Sequence, residues 1–319
     1  MTLYGSQNYK VVFKYSMNYG GYSILKRQLM LPLATAYGSS HSTISQAGQK
    51  LGEIRDRLFD LAQLQRHHLI LDLNAKSGLL TWEALRQAPE GGVYACVSNP
   101  FEAEALKEQA ATLPELLRPI VWIANSNQLP SVLAKEAKNI RFDCIMGRNA
   151  LMLETDKVKV IKSLIPWLSA EGALVLAETV PRHTQRLYEL LQPAWLPSGL
   201  WEKLKLAESA IYEDDSDPMV NWDSLDLKKD LEKAGLRVKV EQQRSHTSIL
   251  ITPALVERWF ALTQTTPRPT YRQHLERMLT GDEVNLVQQV FSKYLCDRTV
   301  TWSSMVAYFQ VSSSSKSKL

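Results

Sequence analysis

The sequence predicts an α/β fold: a Rossmann-like, mostly parallel sheet of seven strands with helices on both faces, ending in a C-terminal antiparallel hairpin. An N-terminal arm precedes it and a C-terminal helical extension follows. Three observations carry this reading. Short apolar runs alternate with helix-forming segments from residue 69 to residue 178. The runs are almost continuously apolar, as strands buried on both faces must be. An alternating segment and a further apolar run, 236–243 and 248–252, then supply two more strands joined by a short turn.

The elements follow in order. QKLGEIRDRLFDLAQLQ places Leu51, Ile54, Leu58 and Leu61 on one face of an amphipathic helix that ends near Arg66-His67-His68. LILDL (69–73) is the first strand, and LLTWEALRQA (79–88) is a helix stopped by Pro89-Glu90-Gly91-Gly92. Strands at 93–97, 119–124, 142–147 and 173–178 alternate with helices at 101–113, 130–137 and 158–168. Pro130 opens one of these helices, where its missing N–H costs nothing. Residues 182–232 are helical or irregular around an acidic break at 212–218, and LKKDLEKAG is a helix stopped by Gly235. The expected division is an extended arm over 1–48, the α/β domain over 49–255, a helical extension over 256–311 and a low-complexity tail over 312–319.

Bulk properties narrow the classes. The chain has 319 residues, 45% hydrophobic and 22% charged, as an ordinary globular protein has. No apolar run reaches the roughly 18 residues of a membrane span. MTLYGSQNYK lacks the pattern of a secretory signal, and Cys96, Cys144 and Cys296 are too dispersed for a disulfide framework or a zinc site. A reducing cytoplasm is the expected location. His67 and His68 are adjacent, but no Cys or carboxylate stands at metal-ligand spacing, so no metal is expected. The net charge of +4 is concentrated: residues 1–67 carry +5 and the remainder −1. A basic segment of this kind is either solvated surface or a contact for phosphates or an acidic partner.

In an open parallel sheet, ligands sit at the carboxyl ends of the strands, and the first βα loop comes closest to them. Here that loop is LDLNAKSGLLTWEAL (71–85): an acidic residue ends the strand, a turn of small and polar residues follows, and Gly78 precedes an apolar helix. The segment resembles the first motif of class I S-adenosylmethionine (SAM)-dependent methyltransferases. VYACVSNP, FDCIMGRNAL, AEGALVLAE and EKAGLRVKV agree with the later family elements in order, so the resemblance spans about residues 60–255. It implies SAM as cofactor. It puts Asp72 on the acidic position and Asn74, Lys76 and Gly78 on three positions that are usually glycine, with Ser77 between them. Ser98 and Asn99 take the place of the ribose-binding acid, and Asn125 that of the adenine contact. Gly147, Arg148 and Asn149 stand where a catalytic member can carry an Asn/Asp-Pro-Pro-aromatic run. No catalytic residue is named by the resemblance.

Each candidate also has a structural reading. Asp72 either faces a ligand or caps the next turn or helix. Lys76 crowds the loop or is solvated. Arg148 either holds an anion or pairs with Asp143 or Glu178. Glu178 is an acid/base or a helix-start charge.

The arm carries a second resemblance. FKYSMNYGGYSILKRQLMLP followed by GQKLGEIRDRL resembles the C-terminal tail of clamp-loader-like AAA+ ATPases of the replication-fork maintenance type, the RarA/MgsA group. Phe13, Lys14, Tyr15, Tyr19, Gly20, Leu31, Pro32, Gly48 and Glu53 take its positions. This implies the end of an ATPase fusion and a setting in DNA recombination. No GxxxxGK[ST] loop is present, so ATP hydrolysis by that route is not expected.

Two functions remain: a SAM-dependent methyltransferase, and a non-catalytic module of that fold docking on an AAA+ ATPase oligomer or on nucleic acid. A dinucleotide oxidoreductase is disfavoured, because no G-x-G-x-x-G follows the first strand.

Overall fold

In the computed structural model the described residues are 41–263 and 268–313, with side chains from residue 48 onward. The first strand, β1 (Leu69–Asp72), lies between β2 (Gly92–Val97) and β4 (Phe142–Arg148), both parallel to it. β3 (Ile120–Ile123) pairs with β2, and β5 (Leu168–Thr179) pairs with β4, again in parallel. Two long strands complete the sheet: β6 (Leu236–Ile251) and β7 (Arg298–Ser313). The order is β3-β2-β1-β4-β5-β7-β6, with β7 antiparallel to both neighbours. The expected methyltransferase-like sheet is therefore present.

The pleat alternation sorts the core into two faces. Ile70, Cys144, Met146, Val175, Ala177 and Tyr308 point to the side covered by α1 (His41–Ala62) and α2 (Leu79–Gln87), meeting Leu58, Phe59, Leu80 and Ala84. Leu71, Ile145, Leu174, Leu176, Phe309 and Val311 point the other way. There they meet α4 (Leu129–Glu136), α5 (Lys157–Leu164) and α7 (Ser224–Lys233) through Leu133, Ile161 and Leu231. Each central strand thus buries side chains on both faces, which is why these runs contain almost no polar residue. The helix α3 (Pro100–Ala110) packs beside the edge, with Ala103 and Leu106 against Ala95 and Val97.

The C-terminal third differs from expectation. β6 is one unbroken strand of 16 residues, not two strands around a short turn. The intervening segment, Arg244-Ser245-His246-Thr247, holds no Gly, Pro, Asn or Asp that would turn the chain. Its partner is β7, paired along the full length from Leu236↔Ser313 to Ile251↔Arg298. The expected helical extension over 256–311 therefore ends early, and its last residues are the strand between β5 and β6. TWSSMVAYFQV is rich in β-branched and aromatic residues and suits a strand better than a helix. The helices α8 (Pro253–Trp259), α9 (Tyr271–Leu275) and α10 (Gly281–Leu295) lie in sequence between the two strands. With α6 (Leu200–Tyr212) they form a second core around Leu204, Ile211, Leu275, Val287 and Phe291. The outer half of the β6–β7 ribbon contributes Ile249, Ile251 and Trp302 to it.

α1 begins at His41, earlier than the expected boundary at residue 48. Residues 1–40, with Phe13 to Pro32 of the ATPase-tail resemblance, lie outside the described residues, as does the tail after residue 313. Among the described residues no helix is long and apolar enough to cross a membrane.

Because β7 bonds to β5 and β6 at once, β6 cannot join the sheet without it. Truncation after Asp297 is expected to abolish cooperative folding, read as loss of a thermal transition in circular dichroism. A retained transition of normal steepness would show that the first five strands fold alone.

Candidate functional site

The carboxyl ends of β3, β2, β1, β4 and β5 line up along one edge of the sheet, and the cofactor-site candidates from Asp72 to Asn149 lie on that edge. What the structure adds is how those side chains are used.

Asp72 is fully buried at the end of β1. Its Oδ1 accepts the Asn74 N–H (3.2 Å) and its Oδ2 accepts the Thr81 hydroxyl (2.8 Å), so it caps both the turn and the first turn of α2. Burial raises its pKa to about 6, and the nearby Arg148 pulls the other way. Asn74 turns inward. Its Nδ2 donates to the carbonyls of Arg148 (2.9 Å) and Asn149 (3.1 Å), tying the β1–α2 turn to the end of β4. Backbone bonds tighten the same joint: Leu73 N–H to the Met146 carbonyl (2.8 Å) and Ala75 N–H to the Cys96 carbonyl (2.9 Å). Lys76 has φ +45°, a backbone region that disfavours a side chain, and it is half-buried, as is Ser77. Gly78 has φ +80°, and a Cβ there would collide with Trp82 Nε1. The Trp82 indole therefore lies directly against the loop, its N–H buried without a hydrogen-bond partner.

At the end of β2, Ser98 and Asn99 are spent on a helix start. Asn99 caps α3, with its Oδ1 accepting the Glu102 N–H (2.9 Å) and Pro100 in the first turn. Glu102 reaches back and accepts both the N–H (3.0 Å) and the hydroxyl (2.9 Å) of Ser98. Asn125 makes a similar reciprocal pair with Gln128 ahead of α4.

At the end of β4, Gly147 is packed among Leu73, Ala150 and Leu176. Asn149 has φ +49° and is buried. Its N–H donates to the Ala177 carbonyl (2.8 Å) and its Oδ1 accepts the Thr179 N–H (2.8 Å), so it fastens β4 to β5. Arg148 stands between two carboxylates, Glu178 and Asp72, while burial lowers its pKa. Asp143 is engaged elsewhere, accepting from Leu69 N–H and the Ser169 hydroxyl. Of the two carboxylates considered for Arg148, Glu178 is the one whose charge acts on it.

Glu178 is the polar centre of this edge. It is fully buried at the end of β5, and its Oε1 accepts the amides of Ala150 (2.8 Å) and Leu151 (3.1 Å). Its Oε2 is buried with no hydrogen-bond partner. Burial drives its pKa up to about 7, against the amides and the positive charges of Lys157 and Lys76. It is neither a helix-start charge nor a solvated group. Lys157 donates to the carbonyls of Glu154 (2.8 Å) and Pro218 (2.7 Å), and burial lowers its pKa to about 8.

Thr81, Trp82, Glu102 and Lys157 were not singled out in the sequence. Glu102 had a readable signal, because Asn followed three residues later by Glu marks a helix start. Among the described residues there is no group of three His, Cys, Asp or Glu side chains that could hold a metal ion. A shallow cavity of about 610 Å³ lies elsewhere, along α10 at Asn285, Gln288 and Ser292.

Neither a protein-family model nor a curated protein sequence matches the chain. Solved structures do. The YcgJ protein from Bacillus subtilis is 12% identical over 82% of this chain and 99% of its own, with a TM-score of 0.47. A cyclopropane-fatty-acyl-phospholipid synthase-like protein from Lactobacillus casei is 12% identical over 85% of this chain and 94% of its own, with a TM-score of 0.46. Coclaurine N-methyltransferase, bound to N-methylheliamine and S-adenosylhomocysteine, is 15% identical over 95% of this chain and 80% of its own, with a TM-score of 0.40.

The raised carboxylates set a pH dependence. Glu178 and Asp72 hold protons more tightly folded than unfolded, so their contribution favours the folded state at low pH. It is lost as pH rises through about 6 to about 7. The melting temperature is expected to fall between about pH 4 and about pH 7. Glu178→Gln should remove on the order of 2–3 kcal/mol of that dependence. An unchanged pH profile in the variant would place Glu178 in contact with water.

Proposed function

We propose that this chain is a methyltransferase-fold module that acts by binding a protein partner rather than by transferring a methyl group. One observation carries the reading: Asn74, on the loop where a cofactor would lie, turns its side-chain amide onto the carbonyls of Arg148 and Asn149. The neighbouring groups support it. Asp72 caps its own turn and helix, Ser98 and Asn99 cap α3, and the Trp82 ring covers Gly78. A site built to bind SAM needs polar groups directed outward. Here the strand-end side chains satisfy one another, at the positions the methyltransferase resemblance assigns to Asp72, Asn74, Ser98, Asn99 and Asn125. The partner we favour is an AAA+ ATPase of the replication-fork type, on the strength of the sequence resemblance over residues 13–53.

A SAM-dependent methyltransferase is the second reading. Glu178 favours it, since a buried carboxyl with a pKa of about 7 is suited to proton transfer near neutral pH. Calorimetric titration of the whole chain with SAM and with S-adenosylhomocysteine separates the two. The binding-module reading expects no heat and no shift of the melting curve at about millimolar ligand. Binding in the micromolar range would overturn it and favour the enzyme.

A further inference from the structure

One flank of the sheet is open. Among the described residues β3 pairs with β2 alone, and its sequence is Ile120-Val121-Trp122-Ile123. Ile120 and Ile123 are half exposed, and Leu116, in the turn before the strand, is 97% exposed. Edge strands are commonly guarded by charged side chains, which keep other chains off. The opposite flank is guarded in this way, because β6 carries Arg237, Lys239, Glu241 and Arg244. β3 carries no charge.

The backbone of β3 decides what can pair with it. The Ala124 N–H donates to the Val97 carbonyl (3.0 Å), so Trp122 and Ala124 direct their backbone groups at β2. In a parallel ladder the intervening residues direct theirs away. Val121 and Ile123 therefore each present an N–H and a C=O outward. The next positions of the same parity offer no donor. Pro119 has no N–H, and the Asn125 N–H donates to Gln128 Oε1 (3.1 Å). A second β3, antiparallel and related by a two-fold axis at Trp122, sets Val121 of each copy opposite Ile123 of the other. Every outward group of the strand then pairs. Moving the axis to Val121 would set Ile123 opposite Pro119 and leave the Ile123 carbonyl without a donor.

Charge and surface agree with this register. It brings Arg118 of one copy opposite Ser126 of the other, whose hydroxyl is bonded to Glu154. Arg118 is held in place by the carbonyls of Leu113 (3.0 Å) and Ala111 (3.2 Å). Positive charge thus meets negative at both ends of the pairing. Leu116, Leu117, Ile120 and Ile123, the exposed aliphatic side chains of β3 and the turn before it, supply the apolar surface that such an interface buries.

We propose that β3 is a homodimerisation strand, joining two copies of this chain into one continuous sheet by antiparallel pairing centred on Trp122. This goes beyond the binding-module reading and does not depend on it, since it concerns the outer side of β3 and not the β1–α2 turn.

The test uses the whole chain. Sedimentation equilibrium is expected to give twice the mass of one chain. Hydrogen exchange at the Val121 and Ile123 amides should slow as the fraction of dimer rises with protein concentration. Ile123→Lys puts a charge on the half-exposed pairing strand and should weaken the dimer at least about tenfold. Leu206→Lys, at an exposed site on α6, should leave it unchanged. A monomer at every concentration up to about 100 μM, or a dimer that Ile123→Lys leaves intact, overturns the proposal. So does slow exchange of both amides in the monomer, which would mean that another segment of the same chain covers the strand. The exchange measurement on the unaltered chain decides the matter even where Ile123→Lys loses the fold.

Discussion

Two hydrogen bonds from one side-chain amide organise the edge of the sheet on which a ligand would be sought. Asn74 donates to the carbonyls of Arg148 and Asn149, residues 74 and 75 positions away in the chain. Buried carbonyls at a strand end need donors, and leaving them unpaired costs about 1–3 kcal/mol each. By meeting that need, Asn74 fixes the β1–α2 turn against β4. Asn149 then carries the connection on to β5 through Ala177 and Thr179. Three strands are locked in register by two asparagines, and the backbone strain at Lys76 and Asn149 is sustained by that lock.

Charge burial follows from the same closure. Asp72 and Glu178 sit at the ends of β1 and β5, both fully enclosed, with Arg148 between them. Such groups are costly to bury unless amides and opposite charges surround them. Asp72 is fully supplied, by an amide and a hydroxyl. Glu178 is half-supplied, and burial raises its pKa to about 7 as it raises that of Asp72 to about 6. A third acid, Glu208, shows what complete provision looks like outside the sheet. In the helical layer it accepts the amides of Leu187 and Tyr188 and the Tyr271 hydroxyl, stapling α6 to α9.

Much of this was legible in the sequence. The five apolar runs became β1 to β5 within a few residues, because a strand buried on both faces leaves an unambiguous pattern. The role of Asn99 was also readable, since Glu102 follows at capping distance. Two things were not. The place of β7 was hidden because the sheet takes its seventh strand from beyond three helices: its β-branched and aromatic residues mark a strand, but nothing local says which strands it joins. The use of Asn74 was hidden for the same reason: its partners are distant in sequence, and nothing near residue 74 says which way its amide points. The departure from glycine at Asn74 and Lys76 was visible, but only the fold shows Asn74 serving as a joint and Lys76 held at φ +45°.

The central claim is that the β1–α2 turn is a structural joint and not a ligand loop. The most direct measurement is the side-chain amide signal of Asn74 in a ¹H–¹⁵N spectrum of the whole chain, recorded with and without SAM. The account predicts two well-separated, slowly exchanging amide protons that do not move when SAM is added. Rapidly exchanging protons, or a saturable shift on addition of SAM, would show that Asn74 faces a ligand site and would contradict the account.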